Sequence, residues 1–575
     1  MLPDLTGLDK TFDYLIPADL TDIVRVGSMV RVPLAGRIVA GWVITIATSS
    51  EVAFDRLVPI SKWSGYGPSS DLIELAEWAS FRWGVGRLRP LLVSASPSRM
   101  VRSLPRVASG RRERESRAER DVSSAILRLL GEGGGVVRVT PIDDAHDVVD
   151  AAVSLGPTLV VHPERGASLR LAASLRARGF VVAVLPDDWS LAAGGADIVI
   201  GGRAAAWATV PSLSAIVVID EHDESLQEER TPTWHARDVA LERARRASVP
   251  CLLVSPCPTV TALAWSGRRW VRPQVADDRA GWPIVDVVDR GDEDPWKRSL
   301  LTSPFIAALR DHTRRVICVH NTPGRARLLA CRTCRSLLSC ERCHAAVNQA
   351  DDGTLVCRRC GRDRPPVCQN CGSGAIANVR PGITRLRDDI EAAAGRPVVA
   401  VSAQTDDQHL AGRADVFVGT EAVLHRVREA DVVVFVDFDS ELLAPRYRAA
   451  EQAMGLLVRA ARILGARSGG GRLIIQTFLP GHDVVQSALH ADVGRVASAE
   501  AAQRRDLGLP PFGALARVGG LGAAEFVAAT GLLAADDHDG MLVRAATWDE
   551  LGPVLAATPR PKGSRLRIEV DPARR

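Results

Sequence analysis

The run 217-VVIDEHDE-224 decides how this chain is read. A short, unbroken apolar segment has the pattern of a strand buried on both faces of a parallel sheet. Carboxylates at the C-terminal end of such a strand are placed to hold a magnesium ion. In nucleotide-driven motors that acidic strand stands beside a glycine-rich loop whose amides and lysine hold a triphosphate. Around it, from 121 to about 280, helical segments alternate with apolar ones such as "TLVVHP", "VVAVLP", "DIVIGG" and "VPCLLVS". Strands alternating with helices imply a parallel α/β sheet. A second set runs from about 281 to 490 with "VICVH", "RPVVAVSA", "DVFVGT", "DVVVFVDFD" and "RLIIQTFLP". The fold class is therefore multidomain α/β.

A chain of 575 residues has room for three to five domains with sizeable cores. Residues 1–96 read as a small, mostly β domain, with "TFDYLIP", "SMVRVPL" and "RIVAGWVITIA" as strand-like runs before the helix "SDLIELAEWASFRW". Residues 97–120 read as an arginine-rich linker, with eight arginines between Arg99 and Arg120 whose charge can also touch phosphate. Residues 121–280 and 281–490 are the two α/β lobes, and 491–575, with "LGLPPFGALARV" and "RLRIEVDP", a small α+β domain. Net charge is only +4, and nearly all cations are arginines, lysine occurring at Lys10, Lys62, Lys297 and Lys562 alone. No apolar run approaches the roughly 18 residues of a membrane span, and residues 1–10 lack a signal-peptide layout. A cytoplasmic protein without a membrane partner is expected.

A cysteine-rich insertion, 331–371, splits the second lobe. Its eight cysteines form four CxxC pairs: Cys331 and Cys334, Cys340 and Cys343, Cys357 and Cys360, Cys368 and Cys371. In a cytosolic chain this density means metal rather than disulfides. Each CxxC turn offers two thiolates, two turns complete a tetrahedral site, and eight thiolates make two zincs per chain. Spacing alone leaves nested, interleaved and sequential pairings open. Four-thiolate sites have no open position, so both zincs are structural. Residues 325–364 carry nine arginines against four acids, a basic surface suited to DNA or protein. Cys251, Cys257 and Cys318 lie in apolar runs and read as core residues.

Two α/β lobes, a doubled CxxC module inserted in the second, and "FDY" near the N-terminus together resemble the primosomal protein N′ (PriA) family of replication restart proteins. The most specific parts are the eight-cysteine spacing and 217-VVIDEHDESLQEERTPTWHARDVALERA-244. That stretch is similar to the family's acidic box and the motif after it. Asp220, Glu221, His222 and Asp223 stand in the box, with His235, Arg237 and Asp238 downstream. "GLPPF" and "RIEVDP" resemble the family's C-terminal domain. The resemblance implies two RecA-like helicase lobes and an N-terminal domain that captures the 3′ end of a nascent strand. Asp13 matches the acid that contacts the terminal base. It also implies that Cys331, Cys334, Cys368 and Cys371 bind one zinc, and Cys340, Cys343, Cys357 and Cys360 the other. The implied partners are branched DNA, meaning stalled forks and D-loops, with primosome and helicase-loading proteins and single-stranded DNA-binding protein. A monomer is expected.

The chain departs from that family at its nucleotide site. No lysine follows a glycine, so no P-loop of the form G-x-x-x-x-G-K-[ST] exists. In its place stands 131-GEGGGVVRVTPIDDAHDVV-149, where Asp143 and Asp144 would repel a triphosphate and Arg138 has the wrong reach for one. The family's motif GTQMxxKG is replaced by 419-GTEAVLHRV-427, and its arginine-finger motif by 459-RAARILGAR-467, which retains Arg467. The reading is a fork-recognition protein that promotes primosome assembly and reloading of the replicative helicase without ATP-driven unwinding. ATP and magnesium are not expected as cofactors, and Asp220 and Glu221 become relics of a core strand. The alternatives are an ATP-dependent 3′-to-5′ helicase with an unconventional nucleotide site, and a zinc-dependent module with no role at forks.

Overall fold

The structure is a computed structural model that describes residues 1–105, 124–292, 300–321, 329–350, 353–357, 359–378, 383–402, 415–537 and 540–572. Most of the arginine-rich linker of 97–120 lies outside these residues.

Near the N-terminus, four antiparallel strands pair in the order Leu2–Pro3, Arg37–Trp42, Met29–Leu34, Lys62–Gly65. The helices Ser70–Arg82 and Arg89–Ala95 follow. Their apolar faces do not close on their own sheet alone. Leu72, Ala76, Trp83 and Leu91 join one continuous core with Val136, Leu159 and Val218 of the first lobe and with Phe526 and Ile568 near the C-terminus. The N-terminal, first-lobe and C-terminal layers are therefore packed as a unit.

Among the described residues the first lobe has seven parallel strands. Their order is Trp270–Val271, Gly134–Arg138, Cys251–Ser255, Ala215–Ile219, Thr158–Val161, Ile198–Gly201, Val182–Val184. Ala215–Ile219 is central and fully buried, as an unbroken apolar run requires when helices cover both faces. The glycine run of 133–135 opens a strand rather than a phosphate loop. A Cβ on Gly134, whose φ is +104°, would lie 2.0 Å from the Cys251 carbonyl oxygen, and one on Gly135 2.2 Å from that of Arg269. Glycine is needed there because neighbouring backbone comes that close.

The second lobe has six parallel strands among the described residues, in the order Ile284–Asp289, Arg472–Thr477, Val432–Phe435, Val316–Val319, Val416–Gly419, Val398–Val401. The helix Ala449–Leu464 packs Met454, Leu457 and Leu464 on this sheet. Its opposite side faces the first lobe. The cysteine-rich insertion leaves the sheet after Val319 and returns before Val398. Within it, Leu329–Cys331 pairs with Ile376–Asn378, and Val347–Gln349, Leu355–Cys357 and Asp363–Arg364 form a second small sheet. Four antiparallel strands near the C-terminus, ordered Leu533–Asp537, Gly540–Ala545, Ala514–Leu521, Arg565–Val570, complete the fold. No helix of the described residues is long and apolar enough to cross a membrane.

Burial lowers the pKa of His162, His222, His235 and His425 from their ordinary value of 6.5. The unfolded chain then binds more protons than the folded one as pH drops through about 6.5, so folding stability falls with acidification there. Asp439, pushed up to about 7 by burial, opposes the four histidines in part, and the expected result is a lower melting temperature at pH 6 than at pH 7.5 at fixed ionic strength. A transition equal or higher at pH 6 would contradict the assignment.

Candidate nucleotide cleft, metal centres and DNA-end pocket

Asp220 ends the central strand of the first lobe with a φ of 52°, a left-handed turn that Asp tolerates better than most residues. The turn aims its carboxylate at the second lobe. Both oxygens are taken there by Arg462, with Nη1 to Oδ2 at 2.5 Å and Nη2 to Oδ1 at 2.6 Å. Three residues on, Asp223 accepts from Arg459 Nη2 at 2.5 Å. Burial on its own would raise both carboxyls. The guanidiniums outweigh it and hold Asp220 and Asp223 below the usual carboxylate range.

Glu221 points the other way, into the first lobe. It accepts from the Thr259 amide at 2.7 Å, the Thr259 hydroxyl at 2.9 Å and Arg237 Nη1 at 3.3 Å, and its side chain is wholly buried. Arg237 donates through Nε to Asp238 at 2.9 Å, and the Arg237 amide bonds to His235 Nδ1 at 3.1 Å. The downstream His235, Arg237 and Asp238 thus hold the acidic strand in place. His222 shares a hydrogen bond of 2.8 Å with Ser255 Oγ. Asp220 and Glu221 are therefore not idle on their strand: each carboxylate has a cationic partner in the fold.

The segment where a phosphate loop would stand is filled from within. The helix His146–Val153 begins there, and its leading amides are the groups that would meet phosphate oxygens. Asp143 Oδ1 accepts from the Ala145 amide at 2.8 Å, and Asp144 Oδ1 from the His146 amide at 3.1 Å. Arg462 Nε donates to the Pro141 carbonyl at 2.9 Å. Arg138 turns away from the cleft to pair with Asp278, Nη1 to Oδ1 at 2.9 Å. Arg467 lies in the exposed turn Arg467–Gly469. Beside the acidic strand a cavity of about 690 Å³ is lined by seven carboxylates and five guanidiniums, a lining that disfavours a polyanion.

Arg459 and Arg462 escaped the sequence reading, which carried over only Arg467 from this segment. A usable signal exists: two arginines three apart on one helix, matched by two acids three apart after a strand.

The structure gathers the eight cysteines into two groups. Cys331, Cys334, Cys368 and Cys371 form one, and Cys340, Cys343, Cys357 and Cys360 the other, with each group's Sγ atoms within 4.8 Å of one another. The nearest Sγ pairs lie 3.4 to 3.6 Å apart. Tetrahedral Zn–S bonds of about 2.3 Å place sulfurs about 3.8 Å apart, so the donor sets fit zinc. The second group docks on the second lobe: the Ala346 amide donates to the Leu443 carbonyl at 2.7 Å and Arg359 Nη2 to the Tyr447 carbonyl at 2.9 Å. Gln503 Nε2 donates to the Cys343 carbonyl at 3.2 Å.

Asp13 lies on an exposed loop, where its Oδ2 accepts from Ser50 Oγ at 2.5 Å. The loop is fixed on both sides, by the terminal amine bonding to the Phe12 carbonyl at 2.7 Å and Tyr14 Oη donating to the Pro33 carbonyl at 2.9 Å. A carboxylate held at a fixed, open position can accept a hydrogen bond from a base edge.

Residues 2–86 match the family model described as the 3′DNA-binding domain (3′BD) of PriA. Behind this segment stand two parallel α/β lobes and two four-cysteine clusters, the architecture of a two-lobed RecA-like protein. The chain is 28% identical over 579 residues to the probable replication restart protein PriA of Mycobacterium leprae, covering 89% of this chain and 86% of that one. It is 29% identical over 351 residues to the replication restart protein PriA of Thermotoga maritima, covering 58% of this chain and 47% of that one. The Bacillus subtilis PriA matches at 26% over 344 residues, 56% of this chain and 43% of its own. The chain is thus a relative of the PriA replication restart proteins.

Proposed function

We propose that this protein recognises stalled forks and D-loops carrying a nascent 3′ end, and promotes primosome assembly and reloading of the replicative helicase, without unwinding DNA itself. It acts in the cytoplasm as a monomer, with two zincs and no nucleotide as cofactors. The observation that carries the reading is the acidic strand, whose Asp220 is paired with Arg462, in a chain whose N-terminal segment is similar to the PriA 3′DNA-binding domain. A site whose metal-binding carboxylate is already neutralised cannot position a triphosphate, whereas end recognition needs none. Relatives named for replication restart support the rest of the role.

The test is binding to synthetic forks by fluorescence anisotropy across a salt series. Arginine contacts to phosphate make affinity fall steeply with salt, and the N-terminal pocket supplies the end preference. Forks with a free nascent 3′ end at the branch should bind several-fold tighter than forks with that end blocked. Asp13→Ala should abolish this difference and leave overall affinity nearly unchanged. Equal affinity of the unmutated protein for free and blocked ends would sink the pocket, and no fork preference over linear duplex would sink the function.

A further inference from the structure

We propose that the two α/β lobes are permanently clamped shut by arginine–carboxylate pairs standing where a metal-bound triphosphate bridges the lobes of a motor. The inference deepens the reading of the cleft as nucleotide-free and is independent of the DNA reading.

The clamp is one face of one helix. Along Ala449–Leu464, residues Glu451, Gly455, Arg459 and Arg462 recur at helical spacing, and all four face the first lobe. Glu451 Oε1 accepts from the Val260 amide at 2.6 Å, while its Oε2 meets Arg504 at 2.7 Å. A Cβ on Gly455 would lie 3.4 Å from His222 Cδ2, so the helix backbone comes right up to the acidic strand. Arg459 reaches Asp223, and Arg462 reaches Asp220 and the Pro141 carbonyl, spending all three of its guanidinium nitrogens on the first lobe.

Charge logic explains why the clamp needs no ligand. In a motor, acids of the first lobe hold the metal, the phosphates lie between, and a cation of the second lobe closes over them. Removing metal and phosphate leaves acids facing a cation directly, and here they meet. The Arg462–Asp220 contact is bidentate, the strongest geometry such a pair adopts. Asp220 keeps only 6% of its side-chain surface exposed, so water screens it little. To enter, a nucleotide would have to displace Arg462 from Asp220 and the carboxylates of Asp143 and Asp144 from the helix amides. No hydrolysis follows that could reopen the lobes.

The experiment is amide hydrogen exchange on the full-length, zinc-loaded protein, read at peptides covering 215–223 and 449–464. Arg462→Asp and Asp220→Arg should each speed exchange in both peptides on the order of a hundredfold, because breaking a buried pair strands a charge. The swapped double variant Asp220→Arg/Arg462→Asp should recover most of the protection, which loss of ordinary packing would not. If the reversals do not fold, Arg462→Gln with Arg459→Gln is measured instead, with the same direction of change expected. Millimolar ATP with magnesium should leave the exchange of the unmutated protein unchanged. Wild-type exchange rates in the broken variants, or protection gained from ATP, would overturn the clamp. Fork anisotropy on the same samples separates the claims: no fork binding with the clamp intact overturns the function alone.

Discussion

Incubated with ATP, magnesium and forked DNA, the purified protein is expected to release no phosphate above a protein-free blank. Phosphoryl transfer is catalysed by positioning and charge compensation, and each part is accounted for. The helix amides that would cradle phosphate are bonded to Asp143 and Asp144. The only lysines are Lys10, Lys62, Lys297 and Lys562, none in the position of a phosphate loop. The carboxylate that would hold the metal is paired with Arg462. An arginine finger alone supplies roughly three to five powers of ten; Arg459 and Arg462 of this segment are spent on Asp223 and Asp220, and Arg467 lies in an exposed turn. The acidic strand also carries a stability prediction. Glu221→Gln should cost about 1–3 kcal/mol in urea unfolding, because it removes one of two buried carboxylates on Arg237, leaving Asp238, and weakens the bonds accepted from Thr259. Fork-stimulated ATPase in the unmutated protein that vanishes in Asp220→Asn would show a surviving motor and refute this account.

Stripping zinc should have the next largest effect. Elemental analysis of native protein is expected to return two zincs per chain. The insertion has a small core in which cysteines are prominent, Cys331, Cys340, Cys343, Cys357 and Cys368 packing with Leu329, Leu338 and Leu355. Such a core does not hold itself, and structural zinc contributes about 10–16 kcal/mol of apparent binding free energy to folding in comparable modules. Cys340→Ser with Cys343→Ser should therefore lower the zinc content to one and expose residues 331–371 to protease. It should also loosen the second lobe, since the Ala346–Leu443 and Arg359–Tyr447 bonds start from that site. One zinc or none in the native protein would refute the reading, as would two zincs retained in the variant.

The sheets were legible where a strand is buried on both faces, because burial demands the unbroken apolar runs that 217–219 and 316–319 display. Three strands of the lobes fall outside those runs: Gly134–Arg138, Trp270–Val271 and Ile284–Asp289. Gly134–Arg138 opens on glycines, which read as loop although close backbone packing is why they are there. Ile284–Asp289 is half-buried at a sheet edge, so its acids break the apolar pattern. That no G-x-x-x-x-G-K-[ST] sequence occurs was legible from residue types alone. What replaced it was not: Arg462 and Asp220 are 242 residues apart, and only the packing of the two lobes makes them neighbours. The resemblance supplied the grouping of the cysteines; spacing left it open.

Asp571 ties together segments that lie far apart in the chain. Its carboxylate meets Tyr447 Oη and Arg448 of the second lobe, and its carbonyl accepts from Gln227 of the first at 2.8 Å. Thr231 and Thr233 bond to the strand just before it. On the ribosome these partners emerge 123 or more residues earlier and must wait, Tyr447, Arg448 and Gln227 alike, for the residue that ties them. Without Asp571, Tyr447 and Arg448 would lose the carboxylate they share, while Gln227 would keep its bond to the Thr233 carbonyl and Arg448 its neighbour Glu451.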